Sequence, residues 1–167
     1  MYFLLFAIGF CAAYIFLYFL FGLFFKNKII PLNPNAWRSI LLILLFHSLV
    51  QIGIWSIPDP EWSNRFQHAI GGGFLSFIIC FVVAKDSKIR IQPLQFLVWS
   101  FLVVTALGVA NEMVEFFLQT TTPLVFTTGL EDTWLDLLSN WVGVLLAAGC
   151  LMPLLKKITT KRSRSRT

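Results

Sequence analysis

The chain reads as five long apolar stretches separated by short polar breaks: Met1–Phe25, Trp37–Ile57, Phe66–Ala84, Leu94–Leu118 and Thr133–Leu155. A helix that crosses a bilayer needs about 20 predominantly apolar residues, and every stretch is near or above that length. The breaks hold residues that stop helices. Lys26, Lys28, Pro31 and Pro34 close the first stretch. Pro58-Asp59-Pro60-Glu61 closes the second, because proline lacks an N–H donor and pushes the residue before it out of the α region. Lys85-Asp86-Ser87-Lys88 ends the third, and Pro93 suits the first turn of the fourth. The loop Gln119–Glu131 precedes the fifth. The first stretch lacks a basic n-region and a clear cleavage site and is long for a signal peptide, so it reads as a retained span.

This pattern predicts an all-α, polytopic integral membrane bundle of five transmembrane helices. Three segments are expected along it: residues 1–63 with the first two helices and connecting loops, 64–155 as a three-helix region, and 156–167 as a basic tail. Composition agrees. Of 167 residues 57% are hydrophobic and 13% charged, with a mean hydropathy of +0.79, whereas soluble domains carry roughly 45–50% apolar and about 25% charged residues. Soluble globular, disordered and disulfide-rich secreted classes are excluded. Cys11, Cys80 and Cys150 lie within apolar stretches and read as packing residues.

The net charge of +5 would suggest an anionic partner until the charges are placed. With the N-terminus outside, 12 of the 13 Lys and Arg residues fall on one side, and Arg65 alone falls on the other. Cytoplasmic loops are enriched in Lys and Arg, so the C-terminus is expected in the cytoplasm of a multi-pass cell-membrane protein. The tail from Lys156 then fixes topology and touches anionic lipid rather than nucleic acid. Trp37, Trp55, Trp62 and Trp134 fall near the proposed interfaces, as in an aromatic belt.

Charge inside the spans is the exception. Asp59, Glu61, Glu131 and Asp132 fall at outer loops or their edges and Asp86 at the inner end, leaving Glu112, Glu115 and Asp136 within helices. A central charge costs about 2.5–3.5 kcal/mol on insertion scales and is a functional candidate by default. At a rise of about 1.5 Å per residue, Glu115 lies roughly 4–5 Å and Glu112 roughly 9 Å below the outer end, with Asp136 about 6 Å and Asn140 about 12 Å below it. Arg65 sits at the mouth and His68 about one turn in. Asp132, Asp136 and Asn140 share one helix face; so do Glu112 and Glu115, and so do Asn111 and Glu115. Helix dipoles favour neither the glutamates near a C-terminus nor Arg65 and His68 near an N-terminus, so these groups are expected to pair with one another.

Two readings follow. In one, Arg65 or His68 neutralises the glutamates and Asp136 and Asn140 glue helices together. In the other the cluster is a site. His68, Glu112, Glu115 and Asp136 are then the candidate catalytic residues, with Arg65, Asn111 and Asn140 contacting substrate. Glu112, Glu115, Asp132 and Asp136 are the candidate ligands for a divalent cation, with His68 ligating or moving a proton. Carboxylates outnumber local cations, so a proton, a metal ion or a cationic substrate must supply the balance. His47 and Gln51 share a face and read as interhelical hydrogen-bonding groups. Gly71-Gly72-Gly73 lacks a phosphate-loop context and reads as a place of close helix approach. The Phe-rich first stretch reads as lipid-facing.

The motifs Asn64-Arg65-Phe66-Gln67-His68, Asn111-Glu112-Met113-Val114-Glu115, Asp132-Thr133-Trp134-Leu135-Asp136 and Asn140-Trp141-Val142-Gly143 occur in this order. Together they resemble the VanZ-like family of small bacterial membrane proteins, especially its YjdF-like branch. Asn64 stands where that family usually has an aspartate. The resemblance implies an integral protein of the bacterial envelope, with some relatives associated with resistance to glycopeptide antibiotics. The expected function is binding or processing of a lipid or lipid-linked head group at an outward cluster, with or without a divalent cation. Membrane lipids are the expected partners, and an oligomer is compatible. The alternatives are a proton- or ion-coupled small transporter and a non-catalytic accessory protein. No Ser/His/Asp or Cys/His triad is visible, which disfavours acyl-enzyme chemistry.

Overall fold

A computed structural model describes the backbone of residues 2–123 and 129–164, with side chains described for residues 4, 6–123 and 129–154. The expected side-chain contacts of the basic tail thus lie outside the described residues. The described chain is all-helical: α1 (Tyr2–Lys26), α2 (Pro34–Trp55), α3 (Pro60–Phe66), a π-helical segment (Gln67–Leu75), α4 (Ser76–Asp86), α5 (Pro93–Thr121) and α6 (Leu130–Arg164). Five helical runs are long and apolar enough to cross a membrane: Phe6–Lys26, Pro34–Trp55, Pro60–Asp86, Pro93–Thr121 and Leu130–Leu154.

Capping chemistry moves several boundaries outward from the apolar windows. Asn33 precedes α2 and its side chain accepts a hydrogen bond from the Ala36 amide at 3.0 Å, with Pro34 in the first turn. Asp59 does the same for the third span, accepting from the Glu61 and Trp62 amides at 2.9 and 3.1 Å, ahead of Pro60. The residues that break one helix therefore start the next, since a side-chain acceptor followed by proline satisfies the donors of a first turn. At the other end, α1 and α4 stop on residues in left-handed conformation, Asn27 (φ 56) and Lys88 (φ 53).

The third span differs most from expectation. Between α3 and α4, nine residues including the three glycines adopt π-helical geometry. This widened coil still satisfies its backbone groups internally, as a bilayer demands. It also meets α6 at close range. A Cβ on Gly73 would collide with the Asn140 carbonyl oxygen, one on Gly72 with the Asn140 side chain, and one on Gly143 with the Ala69 carbonyl. Glycines on both partners let the two backbones meet, the small-residue packing that holds membrane helices where no hydrophobic force separates lipid from protein. The reading of the glycine run as a close approach agrees with Gly72 and Gly73.

The apolar core joins all five spans. Phe77 of α4 packs edge-on against Phe96 of α5, ring centroids 5.5 Å apart, alongside Val83, Val104, Val144 and Ala147. Here α1 corrects its description as lipid-facing: Tyr14, Leu17, Tyr18 and Phe21, spaced along one helical face, are 0–2% exposed. The opposite face carries Ile8, Phe16 and Phe24, which remain exposed. An aromatic-rich helix reads as uniformly apolar, so periodicity did not separate its two sides.

Candidate functional site

At the end of the bundle where α2 leads into α3 and α5 leads towards α6, three spans contribute polar side chains to one buried cluster. Arg65 comes from the last turn of α3. Its guanidinium bridges two successive turns of α6, with one terminal nitrogen 2.6 Å from Asp132 Oδ1 and the other bonded to Asp136 Oδ1. The first of these carboxylates keeps a small exposed fraction, 13% of its side chain, whereas Asp136 is 1% exposed. Asn64, beside Arg65, donates its amide to both Asp136 oxygens at 3.0 and 3.2 Å. His68 Nε2 lies 3.4 Å from Asp136 Oδ2. The aspartate is thereby met from three positions on the third span, and planar, bidentate donors such as Arg suit such a role.

The glutamates are placed differently. Glu112 and Glu115 of α5 are buried, 8% and 9% exposed. Among the described residues Arg65 makes its ion pairs with Asp132 and Asp136, so the expected pairing of that cation with the glutamates is corrected. Two acids a turn apart on α6 engage both terminal nitrogens of the guanidinium. Glu115 accepts a hydrogen bond from Asn111 at 2.6 Å. One carboxylate oxygen of Glu112 is buried without a hydrogen-bond partner. One ligand atom from each of His68, Glu112 and Glu115 lies within 4.8 Å of the other two.

A divalent cation holds oxygen and nitrogen donors at roughly 2.0–2.6 Å. Closing His68, Glu112 and Glu115 onto one would take movements of about 1 Å, within the reach of glutamate rotamers. The set of one imidazole and two carboxylates suits a hard or borderline divalent ion. Of the four acids named from sequence as candidate ligands, Glu112 and Glu115 converge with His68, while Asp132 and Asp136 are held by Arg65. Asn140, expected to contact substrate, is 2% exposed and sits among Gly72, Gly73 and Gly108, its amide oxygen without a hydrogen-bond partner. Asn111 is half-buried beside Glu115.

A family model described as "Predicted membrane protein (DUF2238)" matches residues 5–157. The chain belongs to that family. No curated protein and no solved structure matches it. The family match takes in all five spans, so the protein is an integral, multi-pass membrane protein by family and by fold alike.

Sequence reasoning named Asn64 only as a departure from a pattern, whereas in the structure it is an amide donor to Asp136. An aspartate there would repel the neighbouring carboxylate, and that charge argument could have signalled its role. A second polar group was missed. Where α1 and α4 end, the Tyr14 hydroxyl donates to Asp86 Oδ2 at 2.7 Å, and Asn33 donates to the Asp86 carbonyl at 2.9 Å and to the Tyr18 hydroxyl at 3.1 Å. Lys26 Nζ donates to the Ser87 carbonyl at 2.6 Å. Asp86, expected at the inner end of the third stretch, is 6% exposed. The chain after Asn27 folds back along α1, which brings Asn33 to this point; no periodicity announces such a return.

Proposed function

We propose that this protein carries a membrane-embedded centre, built from His68, Glu112 and Glu115, that binds or processes the head group of a lipid or lipid-linked molecule. The observation that carries the reading is the division of labour in the cluster. The local arginine is consumed by Asp132 and Asp136, while an imidazole and two buried glutamates converge with a carboxylate oxygen left unsatisfied. Burying an ionised carboxylate without compensation is expensive, and a divalent cation at the three side chains supplies the compensation. Such an ion polarises a phosphoryl or carbonyl oxygen and orients it. The Arg65 network then serves as a brace, with Asp136 fixing the orientation of His68 as a carboxylate beside a metal-binding imidazole does.

The distribution of lysine and arginine supports an extracytoplasmic position for the centre at the cell membrane, and the likeness to VanZ-like proteins supports an envelope role. Both belong to this proposal. The test is metal content. Full-length protein purified in detergent is expected to hold about one equivalent of a divalent ion that chelator removes, with Glu115→Gln reducing affinity roughly tenfold or more. Absence of bound ion after reconstitution with manganese, magnesium and zinc in turn would overturn the metal-dependent reading.

A second reading, an ion- or proton-coupled carrier, draws on His47 and Gln51. They are 4% and 6% exposed on the inward face of α2, one membrane level beyond the cluster, and buried ionisable groups in spans commonly mark proton paths. Ion flux into proteoliposomes, abolished by His47→Ala and retained in wild type, would favour it.

A further inference from the structure

Beside the cluster, α3 and the π-helical segment lie against α6 along an open groove of about 380 Å³. One end is polar, with Glu61, Trp62 and Arg65; farther along, the walls carry Phe66, Leu138 and Val142, with the Ser139 hydroxyl bonded to the Leu135 carbonyl. From Leu135 to Val142 the groove follows α6 for roughly 10 Å, at about 1.5 Å per residue. Both walls belong to spans, so the polar end lies at the membrane surface and the apolar length descends into the hydrocarbon. That is the polarity of a lipid, head at the interface and chain below it. The volume falls within the roughly 300–1,000 Å³ typical of small-molecule sites.

Charge says which lipid. Asp59, Glu61, Glu112, Glu115, Glu131, Asp132 and Asp136 all belong to this end of the bundle, seven of the chain's eight acids against Arg65 alone of its 13 Lys and Arg residues. Arg65 already answers to two of them. An anionic head group meets net repulsion from this end, whereas an ammonium meets the Glu61 carboxylate, the one acid lining the groove, and the exposed ring of Trp62, a cation–π partner for such a group. Arg65 lines the groove and bonds Asp136, which neighbours His68. A head group at the polar end therefore meets the candidate centre through Arg65 and Asp136, since His68, Glu112 and Glu115 lie behind the groove wall.

We infer that this groove holds one chain of a zwitterionic, ammonium-bearing membrane phospholipid and presents its head group to the cluster. The inference rests on the lipid-directed reading above and names its substrate class and its route of approach, sideways from the bilayer between α3 and α6. The probe is phosphatidylethanolamine with a photoactivatable acyl chain, supplied in nanodiscs holding the full-length protein, with phosphatidylglycerol of the same chain as comparison.

Crosslinks are expected to concentrate on the α6 stretch Leu135–Val142 and on Trp62–Ala69, with at least fivefold preference for the ethanolamine lipid. Leu138→Trp and Val142→Trp, which fill the groove, should each cut the yield at least fivefold. Leu45→Trp, at an exposed position of α2, which contributes no residue to the groove lining, should leave it unchanged. Crosslinks spread evenly over the exposed faces of α2 and α5, or undiminished in Leu138→Trp and Val142→Trp, would overturn the groove. Equal or better labelling by phosphatidylglycerol would overturn the head-group assignment. Metal content measured on the same preparations separates the two ideas: bound ion with unlocalised crosslinks sinks the groove alone, and localised crosslinks without bound ion sink the metal centre alone.

Discussion

Asp86 and Glu112 are both buried carboxylates of one small bundle, 6% and 8% exposed, and their surroundings are opposite. Asp86 has a tyrosine hydroxyl on its side chain and an asparagine amide on its backbone carbonyl, and a lysine from α1 bonds the next residue. Every donor there comes from another part of the chain, so the group ties α1, the returning loop and α4 together. Glu112 shares its neighbourhood with a second glutamate and a histidine, and one of its oxygens has no partner. Between these extremes stands Asp136, held by Arg65 and Asn64 yet adjacent to His68. The carboxylates that join elements, Asp86 and Asp136, take donors from distant parts of the chain, whereas Glu112 keeps a buried oxygen without one.

Substitutions at these places should separate the two kinds of group. The largest effect is expected at the brace. Arg65→Ala leaves Asp136 buried and short of its cation, and breaking a buried pair in this way costs about 3–5 kcal/mol. Thermal unfolding in detergent reads it, and an unchanged midpoint would show that the brace holds nothing. Arg65→Lys should recover only part, because a single ammonium cannot reach both aspartates as a planar fork does.

Next comes the helix crossing. Gly143→Leu puts a side chain into the Ala69 backbone, and overpacking costs typically about 1–3 kcal/mol, at times more. Tyr14→Phe removes one donor from Asp86 at a cost of roughly 1–3 kcal/mol, with no change in metal content. The smallest effect has the opposite sign. Glu112→Gln replaces an under-compensated buried charge by a neutral amide and is expected to raise stability by about 0.5–1 kcal/mol while weakening metal binding, the trade-off usual at functional sites. A destabilised Glu112→Gln variant would erase the contrast with Asp86.

Much of this was legible in the order of residues. Runs of apolar residues and their prolines locate five spans, because a bilayer permits few alternatives. The spacing of Glu112 with Glu115 and of Asp132 with Asp136 places each pair on a helix face, and up-and-down topology brings both near Arg65 and His68. Which acid the arginine would choose was not legible. That depends on how α3 and α6 are rotated against each other, and this rotation is set by the π-helical segment with its glycines at 72 and 73 and by Gly143 on α6. The α1 stripe of Tyr14 and Tyr18 was hidden for another reason: lipid and core are equally apolar, so only buried hydroxyls and their distant partners mark the inward side.

The widened coil at Gln67–Leu75 also sets a phase. In an α-helix each residue advances the side chains by about 100°, and a π turn behaves as an α turn carrying one residue too many. The segment therefore acts as a rotary offset between two polar ends of the same span: Arg65 just above it with His68 in its first turn, and Asp86 below it. Were the same nine residues to wind as regular α-helix instead, the upper residues would swing by roughly that angle, while Asp86 stayed anchored to Tyr14 and Asn33. The cluster's composition would be untouched, and its address on α6 would be lost.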